Sequence, residues 1–153
     1  MTFNDVYWMQ HALDLAMIAR DQGEVPVGAV VVDDHQSIIG SGWNHVRQWR
    51  DPTAHAEILA LRAAAKTQQN ERLSNTTLYV TLEPCCMCAG ALVHARVKRL
   101  VFATRDLKSG AAGSACNLLT GHVLNHKVQL DDGPLQIECA AVLSDFFQQL
   151  REN

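Results

Sequence analysis

Residues 84–90 read PCCMCAG, which packs Cys85, Cys86 and Cys88 into four positions of a chain with five cysteines. Thiolate sulfur and imidazole nitrogen both bind zinc, and a catalytic zinc site keeps three protein ligands with a fourth position open. At i and i+3 on a helix, Cys85 and Cys88 share a face. Cys86 is turned about 100° from the first and about 200° from the second, so it points elsewhere. Two of the three are therefore expected to hold a metal. Pro84 suits the first helical position, where its missing N–H costs nothing. The positive end of the helix would then stabilise the thiolates. A C-x-x-C pair alone also fits a redox couple, and Cys86 as a fourth ligand would make the site structural.

A histidine should complete the set, and seven are present. His55 stands out in DPTAHAE (51–57), behind Asp51 as a possible cap and Pro52 near a helix start, with Glu57 two residues on. On a regular helix His55 and Glu57 point about 200° apart. Both can face one ion only if His55 stands at or just before the first turn. Two helix N-termini would then meet head to head over the metal. Two thiolates neutralise a dication, a neutral imidazole completes three ligands, and the open position takes water. A carboxylate beside them can carry a proton from that water to a leaving group. This is the chemistry of hydrolytic deamination, in which water adds to an amidine-like ring carbon and ammonia leaves. H-x-E followed by P-C-x-x-C is the already established signature of zinc-dependent base deaminases.

Other readings of single residues are plainer. His55 could be a satisfied core histidine. Cys86, Cys116 and Cys139 read as small apolar fillers. His11, His35, His45, His94, His122 and His126 read as surface or locally bonded groups. Gly40 and Gly42 give G-x-G without the third glycine of a dinucleotide motif. Glu83, beside Pro84, reads as a cap or a support for the ligands.

The elements that must position these residues alternate along the chain. Val6, Met9, Leu13, Ala16 and Met17 recur at helical spacing and predict a helix over 4–21, with Gly23 as its stop. Strands are expected over 25–33 and 37–44, joined by a DDHQ turn. EILALRAAAK (57–66) predicts a helix, TLYVTL (77–82) a strand, MCAGALVHA (87–95) a helix and RLVFAT (99–104) a strand. KSGAAGS (108–114) reads as a small, flexible loop, and 126–132 as a short strand. Pro134 opens a C-terminal helix. This order implies an α/β sandwich with a mixed sheet.

Composition bounds the rest. A chain of 153 residues, 48% hydrophobic and 19% charged, fits one domain over 1–153 with a proper core. No stretch approaches the roughly 20 apolar residues of a membrane helix, and MTFNDVYWMQ lacks the pattern of a secretory signal. An odd cysteine count argues against a disulfide framework and for the cytoplasm. With a net charge of −3, no global positive field recruits nucleic acid. RNA contact would rest on local patches: Arg47 with Arg50, Arg96 with Lys98 and Arg99, and Arg105 with Lys108.

Over nearly its whole length the sequence resembles the bacterial tRNA-specific adenosine deaminases of the cytidine/deoxycytidylate deaminase superfamily. The likeness runs through YWMQHALDLA (7–16), EVPVGAVVV (24–32), GWN (42–44), DPTAHAEILALR (51–62), TLYVTLEPCCMCAGALVHARV (77–97), RDLKSGAAGS (105–114) and ECAAVLSDFF (138–147). The zinc motifs are shared by all relatives; GWN, RDLKSGAAGS and the ECAAVLSDFF tail are more particular to the tRNA enzymes. The resemblance implies a cytidine deaminase-like three-layer α/β/α sandwich with a mixed five-stranded sheet, and a homodimer. It implies one Zn2+ per subunit on His55, Cys85 and Cys88, with Glu57 as proton shuttle. Asn44 matches a residue that contacts the target base, and the Ala56 N–H lies where the family holds that base. Asp106 matches an aspartate that contacts the substrate's sugar–phosphate backbone. The implied reaction converts the wobble adenosine of a tRNA anticodon loop to inosine. Deamination of free bases or nucleotides such as guanine or cytosine is the alternative, and a non-catalytic zinc-stabilised module the third reading.

Overall fold

The computed structural model describes residues 3–120 and 125–152. Helices and strands alternate as α1 (Phe3–Asp21), β1 (Gly28–Val32), β2 (Ile38–Trp43), α2 (Val46–Trp49), α3 (Ala56–Gln68), β3 (Thr77–Leu82), α4 (Cys86–His94), β4 (Arg99–Thr104), β5 (Gln129–Asp132) and α5 (Gln136–Glu152). The five strands form one mixed sheet in the order β2-β1-β3-β4-β5. β1 runs antiparallel to both β2 and β3, while β3, β4 and β5 are parallel.

Strand side chains alternate between two buried faces, which is why these segments read as unbroken apolar runs. Ala29, Val31, Leu78, Val80, Leu100 and Phe102 point to the face covered by α3 and α4. Val30, Val32, Tyr79, Val101 and Ala103 point to the face where Trp8, Met9, Ala12 and Leu13 of α1 pack with Cys139 of α5. The result is the expected three-layer α/β/α sandwich. Asp5 of α1, almost fully buried, bolts its layer to the sheet. It takes a two-pronged ion pair from Arg99 at 2.8 Å per contact and a hydrogen bond from the Tyr79 hydroxyl at 2.8 Å. Arg99 also reaches Asp131 at 2.8 Å, so it is spent inside the fold and leaves the expected patch with Arg96 and Lys98.

Several boundaries move for local reasons. β1 starts at Gly28 rather than at residue 25 because Pro26 has no N–H for a ladder and Val27 closes a tight turn onto Val25. Residues 126–128 precede β5 rather than belong to it, since the sheet register begins at Gln129 opposite Arg99. The turn after β1 is held by Asp33, whose Oδ1 accepts the N–H groups of His35 and Ser37.

The glycines of β2 set the distance between sheet and helix. A Cβ on Gly40 would lie 2.3 Å from the Ala60 carbonyl oxygen and 2.5 Å from the Ala64 nitrogen of α3. One on Gly42 would lie 2.8 Å from the Ala56 carbonyl oxygen. Gly90 in α4 has open space where its Cβ would stand. Gly40→Ala should therefore lower the unfolding free energy by about 1–3 kcal/mol through overpacking. Gly90→Ala should leave it equal or raise it by about 0.5–1 kcal/mol through helix propensity. Urea denaturation of both variants checks the contrast.

Candidate metal centre and active-site pocket

The two ligand-bearing segments meet at the carboxyl ends of the parallel strands. β3 leads through Glu83 and Pro84 into α4, and β4 leads into Arg105 and Asp106. This is the end at which open α/β sheets place their sites. His55 is the residue just before α3, with φ −80° and ψ 152°. That extended backbone lets His55 and Glu57 face the same point, as the sequence geometry required. Cys85 stands in the same way before α4, with φ −74° and ψ 176°. Pro84 thus precedes the cap rather than opening the helix. Asp51 does not cap α3 either; its carboxylate holds the Thr53 N–H and hydroxyl in the turn ahead of it.

Ligand atoms of His55, Cys85 and Cys88 lie within 4.8 Å of one another. His55 Nδ1 is 3.6 Å from the Cys85 sulfur and 3.5 Å from the Cys88 sulfur. Hydrogen bonds from Cys88 and His55 pull the Cys85 thiol down to about 3. Donating to Cys85, together with burial, pushes the Cys88 thiol up. The bond to Cys85 raises His55. Protons therefore hold three soft donors around one point, and a dication replaces such protons when it binds. Two sulfurs and a nitrogen suit zinc. Cys86 is exposed, as is Cys116, so neither is an apolar filler; Cys139 alone of the three is buried. His122 lies outside the described residues.

Beside the cluster is a cavity of about 420 Å³, whose lining includes Asn44, His55, Glu57, Cys85 and Asp106. Glu57 is 4% exposed. Burial pushes its carboxyl up to about 7, against its own backbone N–H and His55, which pull it down. Asn44 is also buried, and its Oδ1 accepts the Ala56 N–H at 2.8 Å. A backbone N–H can only donate, so this bond fixes which amide atom is oxygen and leaves Nδ2 as the group offered to the cavity. Asp106 Oδ1 accepts the N–H groups of Lys108 and Ser109 at 3.2 and 3.1 Å, closing a turn on the cavity rim.

Two buried carboxylates build the walls. Glu24 accepts the N–H groups of Arg47 and Gln48 at 3.0 and 2.8 Å, which starts the short helix α2. Sequence reasoning missed both Glu24 and α2. The available signal was an acid placed directly before the apolar run VPVGAVVV, where a charge needs partners. Glu83, 2% exposed, accepts the N–H groups of Asp106, Ala112 and Ser114 at 3.0–3.1 Å and the Ser114 hydroxyl. Residues 108–114, expected to be flexible, are instead gathered onto this carboxylate. Gly110 permits it, since a Cβ there would stand 2.3 Å from Glu83 Cδ.

Burial alone would raise the Glu83 carboxyl, but hydrogen bonds from Ser114, Asp106 and Ala112 outweigh it and hold it below its ordinary 4.5. A depressed carboxylate stabilises the fold above its unfolded value, and this is lost as pH falls through the folded value. Glu83→Gln should be less stable by about 1.5–3 kcal/mol at pH 7. The gap to the parent chain should close as pH drops below 4.5, as pH-dependent urea titrations would record. Independently, Cys85→Ala and Cys88→Ala should purify without zinc while Cys86→Val keeps one ion per chain. Elemental analysis of the three proteins decides between the two-cysteine and three-cysteine ligand sets.

Comparison with known proteins fits this geometry. Residues 3–151 match the family model of the MafB19-like deaminases. The tRNA-specific adenosine deaminase of Haemophilus influenzae is 55% identical over 148 residues, covering 97% of this chain and 86% of that one. That of Bacillus subtilis is 43% identical, covering 99% and 93%. A solved structure from a study of A-to-I editing by tRNA:A34 deaminases at the wobble position superimposes with a TM-score of 0.86 at 39% identity, over 90% of this chain and 99% of that one. The guanine deaminase of Nitrosomonas europaea superimposes at 0.81 with 27% identity, over 92% and 83%. The fold, the ligand cluster and these relatives agree: the chain belongs to the tRNA-specific adenosine deaminases.

Proposed function

We propose that this protein converts adenosine to inosine at the wobble position of a tRNA anticodon loop, working as a homodimer in the cytoplasm. The observation that carries the reading is the convergence of His55, Cys85 and Cys88 beside the buried Glu57, in a cavity also lined by Asn44 and Asp106. His55, Cys85 and Cys88 would hold one zinc ion, which when bound would supply an activated water and a Lewis acid.

The reaction replaces the amino group on C6 of adenine with oxygen from water and releases ammonia. Glu57, on the cavity wall beside the ligands, takes a proton from the attacking water and returns it to the departing amine. Asn44, locked through Oδ1 to the Ala56 N–H, offers Nδ2 as a donor to an acceptor nitrogen of the purine. Ala56 thereby serves by fixing Asn44 rather than by offering its own N–H to the base. Asp106 keeps a carboxylate oxygen beyond its turn bonds. An acceptor-only group gains from a ribose 2′-hydroxyl and is repelled by phosphate.

An apolar hollow of about 490 Å³ between α3 and α4, with Ile58, Leu61, Leu73 and Ala91 in its lining, supports the homodimer. No helix among the described residues is long and apolar enough to cross a membrane. A cavity of this size also admits a free base, and the likeness to a guanine deaminase favours that as the second reading.

Incubation with an anticodon stem-loop, adenosine, cytosine and guanine should yield inosine from the stem-loop, while formation of uracil from cytosine or xanthine from guanine would support the second reading. Glu57→Ala should keep its zinc and lose turnover; normal turnover would remove the shuttle from the mechanism. Asp106→Asn retains the turn bonds but can also donate. It should narrow the preference for an RNA over a DNA hairpin by a factor corresponding to about 1.5–3 kcal/mol. Single-turnover rates on matched hairpins measure it, and an unchanged ratio would assign discrimination to loop shape.

A further inference from the structure

At the opposite end of the sheet lies a second hollow, of about 300 Å³. Arg72, Arg96, Lys98, His126 and Lys127 line it together with Ser74 and Asn75, and no carboxylate does. Among the described residues none of Arg72, Arg96, Lys98 and Lys127 takes part in an ion pair. Two arginines near the sheet ends are instead paired, Arg99 with Asp5 and Asp131 and Arg105 with Asp132, so their charge is already answered. In a chain of net charge −3, gathering four free cations around one concavity costs mutual repulsion. A bound anion relieves it.

The fold fixes the backbone that carries these cations. Lys98 sits where its N–H meets the Thr76 carbonyl oxygen and its own carbonyl accepts the Gln129 N–H, at the amino ends of β3, β4 and β5. Asn75 and Arg96 take left-handed backbone at φ 63° each, so two sharp turns bring the segments before β3 and β4 to one rim. The His126 ring bonds the Val97 carbonyl oxygen through Nε2 at 2.7 Å, which holds that side chain against the hollow. Ser74 and Asn75 add neutral donors. Concave, rich in cationic donors and free of acid, the site matches phosphate oxygens rather than a carboxylate-bearing protein strand, which would need backbone or apolar partners too.

We propose that this hollow is a second RNA contact, which grips backbone phosphates of the tRNA outside the anticodon loop; it rests on the substrate reading above. β3 and β4 span six residues each between the two sites, about 20 Å at strand rise. That is several nucleotides along one strand of an A-form stem, the reach from a loop into its stem. Asp131 and Asp132, on the sheet-edge strand β5 between the sites, would repel such a strand. Both are already paired with arginines.

Lys98→Gln/Lys127→Gln tests it, because both side chains are exposed and neither touches the catalytic cavity. Binding of a tRNA transcript would be titrated across a series of salt concentrations for the parent and double variant. Deamination of a trinucleotide carrying the adenosine, zinc content and binding of inorganic phosphate would be measured alongside. The expected result is a Kd for tRNA raised on the order of tenfold, a salt slope smaller by about one per lysine, and unchanged turnover of the trinucleotide. Equal Kd and slope for the two proteins would overturn the proposal, as would a parent chain that fails to bind tRNA. Loss of inorganic phosphate binding with tRNA binding intact would assign the hollow to a free phosphate instead and overturn it as well. If the parent binds tRNA but makes no inosine, the catalytic reading fails, and the salt slopes still decide the hollow.

Discussion

Everything at the catalytic end depends on how closely α3 lies on β2. With no side chain at Gly40 or Gly42, the helix backbone rests against the strand backbone. This fixes the height of His55 and Glu57 above the sheet, since both stand at the start of that helix. α4 reaches the same level from the end of β3. A metal shared by two helix starts tolerates little error in either, because bond lengths to sulfur and nitrogen are fixed to a few tenths of an ångström. The register of one sheet therefore governs the chemistry of a site on its edge.

Much of this was legible in the sequence because the determinants are local. The spacing of Cys85 and Cys88 and the angle between His55 and Glu57 are properties of helix starts, and the structure has them as the spacing required. The sandwich followed from strand and helix periods. Arg99 is a different case. Its neighbours in sequence are Arg96 and Lys98, yet its partners are Asp5 and Asp131, far off along the chain. Strand alternation turns Arg99 one way while Arg96 and Lys98 stay at the rim.

What could not be read is non-local in the same sense. Helix α2 is four residues long and has no side-chain cap of its own. It exists because Glu24, in a different loop, supplies the acceptor. Residue type alone suggests fillers at Cys86 and Cys116, but it says nothing of which way a loop or helix face turns, and both are exposed. The small residues of 108–114 suggest flexibility. Small size is instead what lets the backbone crowd around Glu83.

That crowding changes what kind of object the segment is. With four donors on one buried acceptor, residues 106–114 cannot open one turn at a time. They open only when the end of β3 lets Glu83 go. In hydrogen exchange such a segment moves with the sheet as one cooperative unit, not with the surface loops. A substrate arriving at the rim meets a wall already ordered, so little conformational entropy remains to be lost on binding there. The wall of the pocket is, thermodynamically, an extension of the core.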